Sequence, residues 1–370
     1  MQFMFDNPRQ ILFCVYILFL TYTSLITFSN NSKAESFKRF YWIIASPLIV
    51  YSIFRPFPLM RDDPGYFNFW VRENFDFVFY QLKIFTDPLY HLILYIFKKI
   101  YDDIQIVLFI SGISLFIKLW VISHFPPKVL FLSLLTYTCL YYQLHDLTQL
   151  RASVASMFFL LALHFLYYEK IKLHKTSLIL SILSHTSTLP NLFLIFFYKY
   201  FSKKRIIYFT FIIIIILSWL NLYPGLQDFD KFLIKIESDL HSINPFLINT
   251  GGIVHKVRSY VALGHYGVYN TGFNPPLIFL ILAACYSIVL FEIDINKPVN
   301  RFIIASFFIA TFIGFFFNSI QDIQVRLYEF YFIAGLFLIR QAKTKLSLIC
   351  ILFLSLMYFI KFNIKWQIGI

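Results

Sequence analysis

Long apolar runs recur along the chain and alternate with short polar stretches. Each run is close to the length that an α-helix needs to cross about 30 Å of hydrocarbon at about 1.5 Å per residue. The pattern predicts transmembrane helices near residues 11–28, 40–54, 104–122, 128–143, 151–168, 206–223, 275–291, 301–318, 326–340 and 345–361. No small-residue cleavage site follows the first run, so we interpret it as a retained helix and not as a signal peptide.

One apolar stretch, residues 176–200, is too long for a single clean span and has polar residues at its centre. His185 lies there, followed by Thr186 and then by Pro190. Proline and unpaired backbone at membrane depth are tolerated only where they are buried in protein or line a wet cavity. We therefore predict two half-helices that form a re-entrant hairpin with His185 near its tip. A single proline-kinked helix is the alternative.

Composition agrees with this pattern and excludes a soluble enzyme. Apolar residues make up 59% of the 370 residues. Charged residues make up 14%, against about 25% in an ordinary soluble domain. The chain, residues 1–370, is therefore expected to be one all-α polytopic integral membrane domain with about 10–12 transmembrane helices. The four cysteines lie in apolar runs without CxxC spacing, which favours neither a disulfide framework nor a zinc site.

The net charge of +13 would suggest a nucleic-acid partner for a soluble chain, but a bilayer explains it better. Cytoplasmic loops of membrane proteins collect Lys and Arg. With the N-terminus outside, the inner loops hold 16 basic and 4 acidic residues over 29–39, 123–128, 169–175, 199–205, 292–301 and 340–345. The outer segments are nearly balanced. We therefore predict no nucleic-acid partner and two long outer loops.

These two outer loops are residues 55–103 and 225–274, and loops of this length often carry function. Residues 89–102 in the first loop are too short to span the membrane, and they predict a helix that lies at the membrane interface. The second loop contains histidines, basic residues and aromatics without metal-ligand spacing. Such loops suit the capture of a sugar or a lipid headgroup.

Acidic residues in the first outer loop are the first candidates for chemistry. Asp62 and Asp63 are adjacent and are followed by Tyr66, while Asp87 precedes Pro88. Paired carboxylates could bind a divalent cation, orient a sugar hydroxyl or act as a base, and a solvated turn is the alternative. Two carboxylates alone do not specify magnesium. We therefore predict no cofactor and no protein metal site, and a divalent metal stays open.

Two arginines and one histidine complete the candidate set. Arg151 opens the fifth predicted span at its outer end, and Arg326, with Tyr328 close by, opens a later span at the same face. A pair of guanidinium groups at the outer boundary could hold a diphosphate, although each could instead extend to lipid headgroups. Glu329 offers Arg326 a competing local ion pair. His185 could accept a proton from an incoming hydroxyl, although buried histidines are more often structural.

Together these residues resemble the EpsG/Wzy family of bacterial O-antigen and exopolysaccharide polymerases over roughly residues 55–335. The resemblance rests on the order and spacing of short motifs: Asp62-Asp63 to Tyr66, Asp87-Pro88, Arg151 with Ala152 and Ala155, His185 followed by Thr-Ser, and Arg326 with Tyr328. One departure is the aspartate at 87, where the family more often has glutamate. Residues 225–272 match no motif of the family.

The resemblance implies a bacterial inner-membrane, multi-pass glycosyltransferase of the GT-C type that acts at the periplasmic face. It would transfer a growing glycan from undecaprenyl diphosphate onto a lipid-linked repeat unit. Expected partners are undecaprenyl diphosphate-linked oligosaccharide, membrane lipids and a protein that regulates chain length. Arg151 and Arg326 would neutralise the leaving diphosphate. We favour His185 over Asp63 as the base, with Asp62 and Asp63 positioning the sugar and Asp87, Tyr66 and Tyr328 contributing to substrate binding.

Two alternatives stay open. A polysaccharide-unit flippase or other transporter also carries intramembrane charges and broken helices, but its charges should lie near the midplane. An O-antigen ligase or a single-sugar lipid-linked glycosyltransferase would use the same phosphate chemistry. Product chain length separates these enzymes, because loss of a polymerase leaves single repeat units on the lipid A core and loss of a ligase leaves none.

Overall fold

The computed structural model describes residues 8–57, 63, 87–201, 235, 293–316 and 330–368, and every regular element in these residues is helical. Three of the helices are long and apolar enough to cross a membrane: Ile11–Ser29, Gln105–Ser123 and Leu150–Tyr167. Shorter apolar helices cover Tyr41–Phe54, Pro298–Ala310, Phe330–Ile339 and Lys345–Ile360. The prediction of an all-α membrane protein is confirmed. The predicted spans 206–223 and 275–291 lie outside the described residues, so the helix count stays a prediction.

The helices follow the predicted spans closely. In chain order they are α1 Pro8–Ser29, α2 Asn31–Lys38, α3 Tyr41–Phe54, α4 Pro88–Ile100, α5 Gln105–Ser123, α6 Pro127–Tyr137, α7 Leu150–Tyr167, α8 Ile171–Ser184, α9 Asn191–Phe197, α10 Pro298–Phe316, α11 Gly335–Ile339 and α12 Lys345–Ile368. The helix α2 falls in a stretch that the hydropathy pattern treats as a loop. Asn30 is the N-cap of α2, because its side-chain oxygen accepts hydrogen bonds from the backbone amides of Ser32 and Lys33.

Helix α7 lies at the centre of the described bundle and packs between α5 and α8, while α3 packs on the other side of α5. A small residue permits the contact between α3 and α5. A Cβ atom added at Gly112 would lie 2.3 Å from Cγ1 of Ile53. Close helix contacts at small residues are usual in membrane proteins, where van der Waals packing drives association.

Helix α6 continues without interruption into a π-helical segment, Thr138–Thr148. Buried donors satisfy carbonyl groups at its end: the Ser111 hydroxyl donates to the carbonyl of Asp146 at 2.8 Å, and Arg55 donates to that of Leu147 at 2.9 Å. The predicted span 128–143 ends too early, because the helical segment continues to Thr148. These buried donors replace the water that would otherwise hydrogen-bond to the last carbonyl groups of the segment.

The polar centre of residues 176–200 does interrupt the helix, as predicted. Helix α8 ends at Ser184, a short 3-10 turn covers Thr186–Thr188, and α9 begins at Asn191. The Thr188 hydroxyl bridges the break by donating to the backbone carbonyl of Ser181 at 2.9 Å. The two half-helices are therefore present, and their arrangement as a re-entrant hairpin stays a prediction.

Helix α4, Pro88–Ile100, overlaps all but the last two residues of the predicted interfacial helix 89–102. It buries Tyr90, His91 and Leu94 and packs against α5 and α8. One face of α4 is therefore fixed to the bundle, which places its first residues beside α8. Its position at a membrane surface stays a prediction.

Candidate functional site

The candidate site is organised by Asp87, the residue that precedes Pro88 at the start of α4. Its backbone is left-handed, with φ 48° and ψ 50°, a conformation that costs a residue other than glycine about 1–2 kcal/mol. An aspartate at this position normally caps the helix. Here the carboxylate accepts no hydrogen bond from the amides of α4, a helix that the structure describes in full. It turns instead towards α7 and α8.

The Asp87 carboxylate joins the two candidates on those helices. Its Oδ2 lies 2.6 Å from Nη1 of Arg151, and its Oδ1 lies 3.2 Å from Nδ1 of His185. The aspartate side chain is 0% exposed, whereas the arginine and the histidine are each 22% exposed. The buried acid therefore holds two cation-forming groups at the edge of the bundle, where a ligand can reach them.

This arrangement sets the chemistry of His185. An ionised carboxylate only accepts hydrogen bonds, so Nδ1 carries the proton when it bonds to Asp87. In the neutral ring, Nε2 then keeps its lone pair and can accept a proton from a hydroxyl group. The backbone of His185 is held in place at the break after α8, because the Thr188 hydroxyl donates to the His185 carbonyl at 2.7 Å. A base that is oriented by a third group is typical of nucleophile activation.

A family model described as the EpsG family matches residues 63–367, which is most of the chain. The chain belongs to the EpsG family. No curated protein and no solved structure matches this EpsG-family chain. The match includes Asp63, Asp87, Arg151 and His185, and Arg55 precedes it.

Asp63 lies elsewhere in this EpsG-family chain, in a buried ion pair with Arg55. The two guanidinium nitrogens lie 2.5 and 2.7 Å from its two carboxylate oxygens, and both side chains are 0% exposed. The Nη2 of Arg55 also donates to the Leu147 carbonyl. The geometry favours a structural role for Asp63, which joins Arg55 at the end of α3, and Arg55 in turn contacts the end of the π-helical segment.

A second buried ion pair, between Lys118 and Asp146, was missed by the sequence analysis. Lys118 Nζ lies 2.5 Å from Asp146 Oδ1 and 3.0 Å from the Ser153 hydroxyl. Ser153 also donates to the same carboxylate oxygen at 2.6 Å, and the Tyr137 hydroxyl donates to Oδ2. A signal was available, since Lys118 is the one charged residue of α5 and an intramembrane lysine requires a partner.

His145, next to Asp146, is also buried and was not predicted. Neither of its ring nitrogens has a hydrogen-bond partner among the described residues. The rings of Tyr141 and Phe330 lie beside it, each with a centroid separation of 6.3 Å. The arrangement is that of an imidazole in an aromatic pocket.

Four predicted site residues, Asp62, Tyr66, Arg326 and Tyr328, lie outside the described residues. The second long outer loop also lies outside them, except for Lys235. Within the part of the chain that the structure describes, no group of three or more His, Cys, Asp or Glu side chains could hold a metal ion. Of the predicted set, the structure therefore brings together Asp87, Arg151 and His185.

Proposed function

We propose that this EpsG-family protein is an O-antigen or exopolysaccharide polymerase of the bacterial inner membrane. It would transfer the growing glycan from undecaprenyl diphosphate onto a lipid-linked repeat unit at the periplasmic face. The observation that supports this most is the Asp87 carboxylate, which holds a potential base, His185, beside a potential phosphate ligand, Arg151. A base and a phosphate ligand at one site suit glycosyl transfer from a diphosphate.

The proposed step begins with the sugar hydroxyl of the lipid-linked repeat unit. Nε2 of His185 accepts its proton while the hydroxyl oxygen attacks the anomeric carbon of the donor glycan. One glycosidic bond forms, and the bond from that carbon to the diphosphate oxygen breaks. Undecaprenyl diphosphate leaves with the bonding electrons, and the imidazolium releases its proton to the leaving group or to water. Asp87 stabilises the imidazolium during this step.

Arg151 is proposed to stabilise the charge that develops on the leaving diphosphate. A guanidinium group stays protonated and its planar fork matches phosphate oxygens. Its 22% exposed side chain lies at the edge of the bundle, as a carrier with its lipid tail in the bilayer requires. Arg326 is proposed as the second phosphate ligand, as the sequence pattern suggests.

The remaining roles follow the family resemblance. We propose that the sugar or the carrier contacts Asp62, Tyr66 and Tyr328. Asp63 is proposed to have a structural role through its ion pair with Arg55. A GT-C-like arrangement of the helices, the re-entrant hairpin and multi-pass insertion belong to the same proposal. So does a partner protein that regulates chain length.

The test is a gel of surface polysaccharide from cells in which the gene is deleted and then restored. The wild-type gene should restore a ladder of repeat units, whereas Arg151→Ala and His185→Gln should leave a single unit at normal protein abundance. His174→Gln is a matched control on the same helix, because His174 is buried and bonds to the Ala162 carbonyl through Nδ1 at 2.9 Å. The control should keep the ladder.

Other outcomes of this experiment would point to the alternatives. A ladder that persists after deletion would contradict the polymerase proposal for the surface product tested. Accumulation of untransported lipid-linked units would indicate a flippase. Loss of every repeat unit from the lipid A core, with polymer still attached to its carrier, would indicate a ligase.

A further inference from the structure

A cluster of basic and aromatic side chains lies at the end of α7 opposite the candidate site, and we call it the Arg340 cage. Arg340 follows α11, and its guanidinium carbon lies 3.6 Å from the ring centre of Tyr167. The ring centres of Phe125 and Tyr168 lie 5.3 and 5.7 Å from the same carbon. The guanidinium is thus enclosed by three aromatic rings.

Two histidines extend the cage to the protein surface. The rings of His124 and His164 have a centroid separation of 5.1 Å. Trp120 packs against both, at 4.6 and 5.0 Å, and His164 packs against Tyr168 at 4.9 Å. His124 and Tyr168 are exposed, so a ligand can approach the cage from outside the bundle.

Arg340 lacks a counter-ion in the described part of the chain. Its Nε and Nη1 atoms are buried without a hydrogen-bond partner among the described residues, and Nη2 reaches only the Tyr168 hydroxyl, at 3.5 Å. None of the ion pairs between described residues includes it. The other ionisable groups that act on His164 are basic, namely His124 and Lys170. A partly buried arginine whose buried nitrogens lack partners is stabilised when an anion binds.

We propose that the Arg340 cage binds the phosphate group of an anionic phospholipid headgroup. Trp and Tyr side chains concentrate at headgroup level in membrane proteins, and basic pockets between transmembrane helices bind anionic headgroups on the cytoplasmic side. The charge pattern assigns this end of the bundle to the cytoplasmic face. The arginine fork supplies hydrogen bonds to phosphate oxygens, and the aromatic rings fix its orientation. This proposal does not depend on the polymerase proposal.

The test uses the full-length protein in a neutral detergent and measures its thermal unfolding with three probes. These are dihexanoyl phosphatidylglycerol, dihexanoyl phosphatidylcholine and inorganic phosphate. A ligand that binds only the folded protein raises the unfolding temperature with its concentration. Phosphatidylglycerol should raise it saturably and by more than either other probe. An equal response to inorganic phosphate, or to the zwitterionic lipid, would overturn an anionic lipid as the ligand.

Two arginine variants separate the cage from general surface charge. Arg340→Gln should weaken the phosphatidylglycerol response by about tenfold in apparent affinity, because a charge-assisted contact is lost. Arg301→Gln should leave it unchanged. Arg301 lies in the first turn of α10 near this end, and its Nε and Nη2 already donate to the carbonyls of Ile295 and Asn296, each at 3.0 Å.

An unchanged response in Arg340→Gln, or an equal loss in both variants, would overturn the proposal. If Arg340→Gln protein does not fold, His124→Gln provides the test, because position 124 is exposed and tolerates a polar replacement. That variant should also bind phosphatidylglycerol more weakly, and binding as tight as wild type would overturn the proposal.

Discussion

Asp87→Asn is the substitution that separates a functional role of the candidate site from a packing role. Asparagine has the same shape as aspartate but no charge. The carboxylate is 0% exposed and bonds to Arg151 at 2.6 Å and to His185 at 3.2 Å. The substitution therefore removes the charge from both contacts without creating a cavity. Because the imidazolium forms only as the reaction proceeds, we expect the loss to fall mainly on the rate.

The geometry sets the expected size of this loss. In the Ser-His-Asp template, the same substitution of the acid lowers kcat by about 10⁴. Here the contact from Nδ1 to Oδ1 is 3.2 Å, longer than the ~2.7–2.9 Å of a strong charge-assisted bond. We therefore expect a smaller effect, a polymerisation rate lower by about 10²–10³, which corresponds to about 3–4 kcal/mol in the barrier.

The assay measures the rate of polymer formation in membranes, normalised to the abundance of each variant. Asp102→Asn changes an exposed carboxylate just after α4 and should match wild type. Asp87→Glu keeps the carboxylate, and the family resemblance implies glutamate at this position, so we expect it to retain more activity than the asparagine variant. A rate for Asp87→Asn within about threefold of wild type, at normal abundance, would refute this reasoning.

Two further predictions concern stability, measured as the unfolding temperature of the purified protein in detergent. Lys118→Met leaves the Asp146 carboxylate buried without its cation and should destabilise the fold by about 3–5 kcal/mol. Lys118→Met combined with Asp146→Leu should recover most of this loss. A double variant that is no more stable than the single one would argue against the ion pair as the cause. Gly112→Val should lower the free energy of unfolding by about 1–3 kcal/mol, because the new side chain clashes with Ile53. Adding Ile53→Ala should relieve this clash. An unchanged unfolding temperature for Gly112→Val would contradict the close α3–α5 contact.

The sequence predicted the helices well because their main signal, a long apolar run, depends on composition alone. It failed where polar residues are helical. Thr138–Thr148 contains Gln143, His145 and Asp146, so hydropathy assigns its second half to a loop. In the structure, Lys118 pairs with the Asp146 carboxylate and Arg55 donates to the Leu147 carbonyl. Such long-range partners cannot be identified from one sequence.

The candidate site was predicted as separate residues and not as a cluster. Arg151 and His185 were each named for a plausible chemistry, but the contact that joins them depends on where α4 packs. Asp63 was named as a possible base because it lies beside Asp62, and the structure instead pairs it with Arg55 across the end of α3. Arg55 at the end of α3 resembles any arginine at a membrane interface, so the sequence gives no signal for its ion pair with Asp63.

The most direct test of the central claim uses the purified protein in liposomes with the lipid-linked repeat unit extracted from cells that lack the gene. Product chain length and released undecaprenyl diphosphate are measured together. The account predicts chains of several repeat units, one carrier released for each new linkage, and neither product with His185→Gln. Substrate that crosses the membrane without any elongation would contradict it.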